Sequence, residues 1–380
     1  MEGTPARGAL RHFLSVPDPR RQNIRFRLVD LIALAILALL CGAEDWPDVA
    51  LFAQAKKKFL ATFLDLSHGT PSADTFRRVF ARLNPEAFET AFRNWMAELV
   101  RTSGGRLLAI DGKSLRHSFQ HAWDHNSMTH LVSVFACANG QVLTQLAVAG
   151  KGQELAAIRQ LLGLVDLQGA VVSIDALGCQ KDIARTIVDA GGQYILALTK
   201  NQPMLYAKVQ TFLDEGILTD FADLPCGYHQ DTDAGHGRIE TRRVWVTDQL
   251  QHLRGLEEWK GLASVAVIES TREVLGGTTS TERRYFLSAL PGRDAAFFAT
   301  AQRGHWAVEN NLHWILDVIF HEDASRLRQG HGAENFSRLR RIALNLLKAH
   351  PKKASIKGKR KLAGWDHRFL LEVLMGGYIS

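Results

Sequence analysis

Cysteine is scarce in this chain, and its four residues, Cys41, Cys137, Cys179 and Cys226, stand far apart with no C-x-x-C pair. That spacing excludes a zinc ribbon and a disulfide framework, and it fits reduced thiols. Long apolar runs are missing too. The most apolar stretch, Leu31 to Ala43, is 13 residues long and lies between Asp30 and Glu44. A bilayer span needs about 20 residues, so this stretch reads as a buried core helix. The chain shows no secretory h-region with a cleavage site, no internal repeat and no low-complexity tract. The expectation is a soluble cytoplasmic protein with no membrane partner.

What is present is ordinary globular composition, 46% apolar and 22% charged, in 380 residues. At about 150 residues per domain that allows two or three domains. The net charge of +7 is unevenly spread. Residues 321–361 hold twelve Lys or Arg (among them Arg326, Arg328, Arg338, Arg340 and Arg341) against three acids, Glu322, Asp323 and Glu334. Charge concentrated in this way suits a polyanion.

Residues 1–103 read as helical. A basic opening (Arg20, Arg21, Arg25, Arg27) precedes the Leu31–Ala43 helix. Ser72 or Asp74 can cap a helix whose Phe76, Val79, Phe80 and Leu83 repeat at helical spacing. Asn84-Pro85 then starts another helix, with Phe88, Phe92, Trp95, Met96 and Leu99 on one stripe. The reading is a small helical bundle, with a DNA-end-binding role as the functional alternative. From Arg106 the pattern changes to strands at 106–111, 130–137 and 141–149, a helix at 154–164, a strand at 170–175, a helix at 179–190 and a strand at 194–198. That order gives a mixed sheet with parallel pairing in its second half. Residues 201–285 are Gly-rich and acidic, with short strand candidates at 242–247 and 264–270. A helical pattern runs from Asp294 past Glu309, a second covers 333–349, and a loose basic tail precedes a short helix near 366–375.

Three acids stand out. Asp111 ends the run Arg106–Ile110, Asp175 ends Ala170–Ile174, and Glu309 lies inside a helical pattern. A buried strand that ends on an acid and turns through a small residue sets that acid at the sheet edge, where hard oxygen ligands can meet divalent ions. The bland readings are a turn-forming Asp111 before Gly112, an N-cap Asp175 for the 179–190 helix, and a solvated Glu309. His305, Trp306, Asn310 and His313 share the face of Glu309 at three- and four-residue spacing. His305, Glu309 and His313 could also hold zinc, although the H-E-x-x-H order is absent. His321-Glu322-Asp323 reads as a helix-end loop or as support for the site. Gly235-His236-Gly237-Arg238 reads as a tight turn or as a DNA-gripping loop.

Several longer words then carry a resemblance. They are Pro71–Phe80, Ile110-Asp111-Gly112-Lys113-Ser114-Leu115-Arg116, Ser173–Gln180, Lys200-Asn201-Gln202, Gly235–Glu240, His305-Trp306 through Leu316-Asp317-Val318, and Glu334-Asn335 to Asn345–Lys348. In this order, over nearly the whole chain, they resemble the ISAs-type insertion-sequence transposases (the H-repeat-associated family) of the DDE transposase group. The resemblance departs at Lys151-Gly152-Gln153-Glu154, where many relatives carry Asn-Glu. It departs again where Gln302, His305 and Leu316 stand at the Tyr, Arg and Lys positions of a wider signature, with Arg303 offset by two.

The resemblance implies an α/β fold with a ribonuclease H-like catalytic core, a helical N-terminal domain, and a mostly β insertion between the last core strand and the Glu-bearing helix. The expected partition is 1–104, 105–200 with 286–348, 201–285, and a basic tail at 349–380. Asp111, Asp175 and Glu309 are the implied catalytic and metal-binding triad, with two Mg²⁺ or Mn²⁺ ions. The implied activity is cleavage of double-stranded DNA at element ends and strand transfer into target DNA, by a homodimer on DNA in the nucleoid. Lys113, Arg116, Lys200, His236, Arg238, Arg303, His305, His313, Arg326, Arg328, Arg338, Arg340 and Arg341 are the candidate DNA contacts. The rivals are a ribonuclease H-like nuclease without strand transfer and a non-catalytic domesticated DNA-binding protein.

Overall fold

The apolar stretch near the start of the chain becomes α1 (Leu28–Leu40), buried at every position except Val29. A helix apolar on all sides belongs inside a core. The computed structural model describes residues 10–22, 24–100, 107–118, 128–148, 150–222, 224–235, 237–274 and 276–375, with the backbone alone at 98–100 and 151. His236, Arg106, Ala149 and the side chain of Leu99, all used above, lie outside the described residues. The chain divides into two compact units, one of residues 1–104, 112–157 and 309–380, the other of residues 105–111 and 158–308.

In the first unit α1 is followed by α2 (Trp46–Ala55), the short α3 (Lys57–Leu60), α4 (Ala73–Arg82) and α5 (Pro85–Val100). Ser72 caps α4, its Oγ accepting from the Thr75 amide at 3.3 Å. The Asn84 side chain accepts from the Glu86 and Ala87 amides at 2.9 and 3.0 Å, with Pro85 opening α5. These are the two helix starts read from the sequence. Strands β2 (His130–Ala136) and β3 (Gln141–Val148) form an antiparallel pair. The long α11 (Gly332–Ala349) packs on α1, α4 and β3. Trp46 lies among Phe76, Phe80 and Phe336, and Asn345 exchanges hydrogen bonds with both backbone groups of Val142.

The segment after Pro351 is not a loose tail. It forms α12 (Ile356–Trp365) and α13 (His367–Leu374). Lys359 is buried and donates to the Leu347 and His350 carbonyls at 2.7 Å each, at the C-terminal end of α11. Arg360 donates to Leu39 O at 3.1 Å and Ala43 O at 3.2 Å, at the end of α1. Cations placed there satisfy carbonyls that have no partner within the helix and oppose the negative end of its dipole.

The second unit carries a large mixed sheet. The first half of β1 (Leu107–Ser114) pairs in parallel with β4 (Val171–Ile174), which pairs in parallel with β5 (Gln193–Leu198). Beyond β5 come β9 (Thr279–Ser288), β8 (Ser264–Val274), β7 (Arg238–Thr247) and β6 (Gly227–Gly235), all antiparallel. Thus residues 227–288 form a meander that extends the same sheet. Helix α6 (Glu154–Leu162) starts in the first unit and ends in this one, and α7 (Lys181–Asp189) follows β4. Helix α8 (Pro203–Leu218) follows β5, in a region whose sequence suggested only loops and short strands. Helix α9 (Ala295–Val308) covers one face, burying Phe298 and Ala299 against Val171, Ile195, Val244, Ile268 and Phe286. Among the described residues no helix is long and apolar enough to cross a membrane.

Candidate active site

The register of β1 and β4 sets two of the three acids side by side. The last matched pair is Ile110 with Ile174, so Asp111, inside β1, and Asp175, just past the end of β4, each come one residue later along neighbouring parallel strands. Such strands run about 4.8 Å apart, and matched positions face the same side of a sheet. Asp111 is half-buried and Asp175 exposed. The Asp175 carboxylate accepts from the Gly178 amide at 3.4 Å, so it caps the 3₁₀ turn Ala176–Gly178. It does not cap α7, which follows Gln180. A Cβ at Gly178 would meet the Ile174 side chain at 2.3 Å, so the tight return of this turn onto β4 requires glycine. The word Lys200-Asn201-Gln202 finds its purpose here. Asn201 Nδ2 donates to Ala176 O at 2.5 Å and Gln202 Nε2 to Cys179 O at 3.2 Å, so both amides tie down the turn behind Asp175.

One face of α9 lies over the end of β4. Gln302 Nε2 donates to Ser173 Oγ at 3.4 Å. His305 sits by the Ser173 backbone and the Asp175 charge. Burial holds its imidazole below the usual histidine range, against the opposing pull of Asp175. Trp306 carries the Arg284 guanidinium over its ring at 4.8 Å from the centroid. A cavity of about 590 Å³ opens beside Asp175, with Lys200, Tyr206, Arg284, His305 and Trp306 in its wall. Tyr206, Arg284 and Trp306 received no role from sequence reasoning. Gln302 and Trp306 stand at i, i+4 spacing, which sets them on one face of α9.

Glu309 opens a wide π-helical turn, Glu309–His313, before the short α10 (Trp314–Val318). Its carboxylate is exposed and lies 3.6 Å from His313 Nδ1. Extra-wide turns of this kind re-aim side chains and recur at functional positions. His313 itself is buried. Burial first, then the Lys113 and Arg341 charges, push its imidazole down to about 3, so it is neutral at pH 7 and offers no cation to a phosphate. That corrects its expected role as a DNA contact.

Further corrections come from the same unit. Lys113 points inward to Asp317, with Glu322 at 3.3 Å and Asp323 at 4.0 Å. Glu322 is fully enclosed. Burial acts to raise its carboxyl, but Arg341, Lys113 and Arg340, with the Ser337 hydroxyl, carry it down to about 2. Arg338, Arg340 and Arg341 are all buried. Arg338 pairs with Glu89, Arg341 with Glu322 at 2.9 Å, and Arg340 lies over Phe336 and donates to Glu44 O at 3.2 Å. None of these guanidinium groups faces solvent, because the apolar side of α11 needs them there to neutralise buried acids. In the second unit Arg303 pairs with Asp231 and Asp233 of β6, and Arg238 with Glu240 at 2.8 Å. Arg116 and Arg326 are exposed, as is Lys200, while Arg328 donates to His117 O at 3.0 Å.

Comparison with known proteins shows the family. A family model described as Transposase DDE domain matches residues 102–346, and one described as DDE_Tnp_1-associated matches residues 10–96. The chain is 36% identical to "Putative transposase YncI" of Escherichia coli O157:H7, over 94% of this chain and 92% of that protein. It is 34% identical to "H repeat-associated putative transposase YhhI" of Escherichia coli strain K12, over 98% of both. A solved piggyBac transposase synaptic complex with hairpin DNA aligns over 96% of this chain and 76% of its own, at 10% identity and a TM-score of 0.40, too low to carry an argument.

Proposed function

Because the chain belongs to the DDE transposases, we propose that it binds the ends of its own element, cuts them, and joins the freed 3′ ends to target DNA. The observation that carries the reading is the position of Asp111 and Asp175, each one residue beyond the matched pair Ile110–Ile174 of parallel β1 and β4. In this reading β1, β4 and β5 belong to a ribonuclease H-like core, entered from the N-terminal helices and interrupted by residues 201–285.

The donors fit hard divalent cations, since paired carboxylate oxygens are what Mg²⁺ or Mn²⁺ requires. Asp111, Asp175 and Glu309 would hold them. When bound, such ions supply Lewis-acid activation of the attacking oxygen and stabilise charge on the leaving oxygen. In the first reaction a water oxygen bonds to phosphorus and the P–O3′ bond breaks, leaving a 3′-hydroxyl and a 5′-phosphate. In the second that hydroxyl bonds to a target phosphorus and one P–O bond of the target breaks, so bonds are conserved and no covalent protein–DNA species is needed. His305, whose imidazole burial holds below the usual histidine range, would orient Asp175 from the α9 side. Lys200 meets phosphate from the rim of the adjoining cavity. Two copies pairing two ends would act as a homodimer on DNA.

The test is a cleavage and joining assay on duplex carrying the element end, with Mg²⁺ or Mn²⁺. Asp111→Asn, Asp175→Asn and Glu309→Gln should each abolish both products while leaving DNA affinity nearly intact, since affinity comes mainly from phosphate contacts elsewhere. Full cleavage by any variant removes that residue from the assignment. Cleavage without joining in the wild type would support the nuclease reading, and neither product the non-catalytic one.

A further inference from the structure

The basic opening of the chain borders a cavity. In the first unit, residues 20–22, 25 and 26 and the face of α4 enclose a cavity of about 790 Å³. Its wall holds five arginines, Arg20, Arg21, Arg25, Arg78 and Arg82, together with His68, and neither lysine nor acid. Two of the five are held internally. Arg20 forks onto Asp18 at 2.7 and 2.9 Å, and Arg78 reaches Asp74 at 2.9 Å. Arg21, Arg25 and Arg82 are exposed and have no acidic or carbonyl partner among the described residues.

Guanidinium groups have a planar fork that matches two phosphate oxygens at once, which a lysine cannot reproduce. The three guanidinium groups without an acidic partner, Arg21, Arg25 and Arg82, also repel each other around one opening, so the arrangement favours an anion that threads between them. A small anion does not fit the description. Ligand pockets enclose most of their occupant, whereas Arg21, Arg25 and Arg82 stand open to solvent around a space far larger than one phosphate. A polymer backbone with regularly spaced phosphates meets both conditions. We propose that this cavity is a phosphate clamp of the N-terminal helices that grips the backbone of duplex DNA, separately from the carboxylates. The choice of DNA among polyanions rests on the transposase reading above.

The experiment is fluorescence anisotropy with labelled duplex, of element-end and of unrelated sequence, across a salt series. It compares the wild-type chain, the triple variant Arg21→Gln/Arg25→Gln/Arg82→Gln, and the triple Arg→Lys variant at the same positions. Each phosphate contact contributes a log–log salt slope near 0.9 on duplex DNA. The glutamine variant should therefore lose about 2.7 units of slope and at least about tenfold in affinity on both sequences. The lysine variant should regain the slope and remain weaker. Because the three side chains are exposed, an unchanged thermal melt should confirm that the variant is folded. An unchanged slope in a folded variant would overturn the clamp, and so would a slope lost only with single-stranded DNA or duplex RNA. Asp175→Asn, run in parallel, separates the two readings. It should keep the full slope while losing cleavage, so failure of the clamp leaves the carboxylate assignment standing, and failure of the carboxylates leaves the slope measurement intact.

Discussion

Two groups of arginines in the first unit have the same chemistry and opposite surroundings. Arg338, Arg340 and Arg341 on α11 are enclosed, each against an acid, a ring or a carbonyl. Arg21, Arg25 and Arg82 stand in the open around an unfilled basic cavity. Charge counted along the chain points to residues 321–361, which include α11 and hold twelve Lys or Arg against three acids. Burial reverses that order. A guanidinium group beside a buried carboxylate neutralises it and gives nothing to the outside field. The smaller N-terminal cluster keeps its charge available. Net charge of a segment therefore says little about its electrostatic footprint until each cation has been assigned a partner.

The largest way to test this contrast is to break a buried pair. Arg341→Met leaves Glu322 buried without its closest cation, which should cost about 3–5 kcal/mol in denaturant unfolding. If the loss is under about 0.5 kcal/mol, as for an ordinary surface substitution, Arg341 is not a structural ion. Acid titration tests the same group. The folded Glu322 carboxyl lies near 2, below its ordinary 4.5. A carboxyl depressed in the folded state contributes stability that is complete above the ordinary value and is lost as pH falls toward the folded one. About 3 kcal/mol should therefore disappear between pH about 4.5 and about 2. Glu322→Gln should flatten that part of the profile, and a persistent slope would assign the acid sensitivity to other carboxylates.

A smaller effect separates the C-terminal cations from one another. Arg360→Gln removes donors from the carbonyls at the end of α1 and should cost about 1–2 kcal/mol, with the salt dependence of DNA binding unchanged. Lys352, Lys353 and Lys357 are exposed. Neutralising those three should leave stability within about 0.5 kcal/mol and reduce only the salt slope. A reduced slope with Arg360→Gln alone would instead place that residue on the DNA surface.

What was legible in the sequence had a local cause. Apolar runs ending on Asp111 and Asp175 marked β1 and β4, because a strand buried on both faces must be apolar throughout. Ser72 and Asn84-Pro85 marked helix starts, because capping depends on neighbours within three residues. Strand β6 was not legible. Its residues Gly227–Gly235 are mostly polar, and the ladder to β7 holds them rather than any alternation of their own. Helix α8 was obscured by its acidic and glycine residues, although Val209 and Leu213 pack at helical spacing behind Pro203. The widened turn at Glu309–His313 leaves no trace in periodicity. The inward course of Lys113, Arg338 and Arg341 depends on acids distant in sequence or in another element, so nothing near them announces it.

In the proposed mechanism Asp111, Asp175 and Glu309 hold the same divalent ions. Ferrous iron in place of Mg²⁺, with ascorbate and peroxide, generates hydroxyl radicals at the bound ion, and these cut the polypeptide beside its ligands. The DNA-bound protein should yield fragments ending near residues 111, 175 and 309, all three competed away by excess Mg²⁺ and all lost together in Asp111→Asn. Cuts confined to one of those positions, or clustered elsewhere on the chain, would contradict a shared three-carboxylate site.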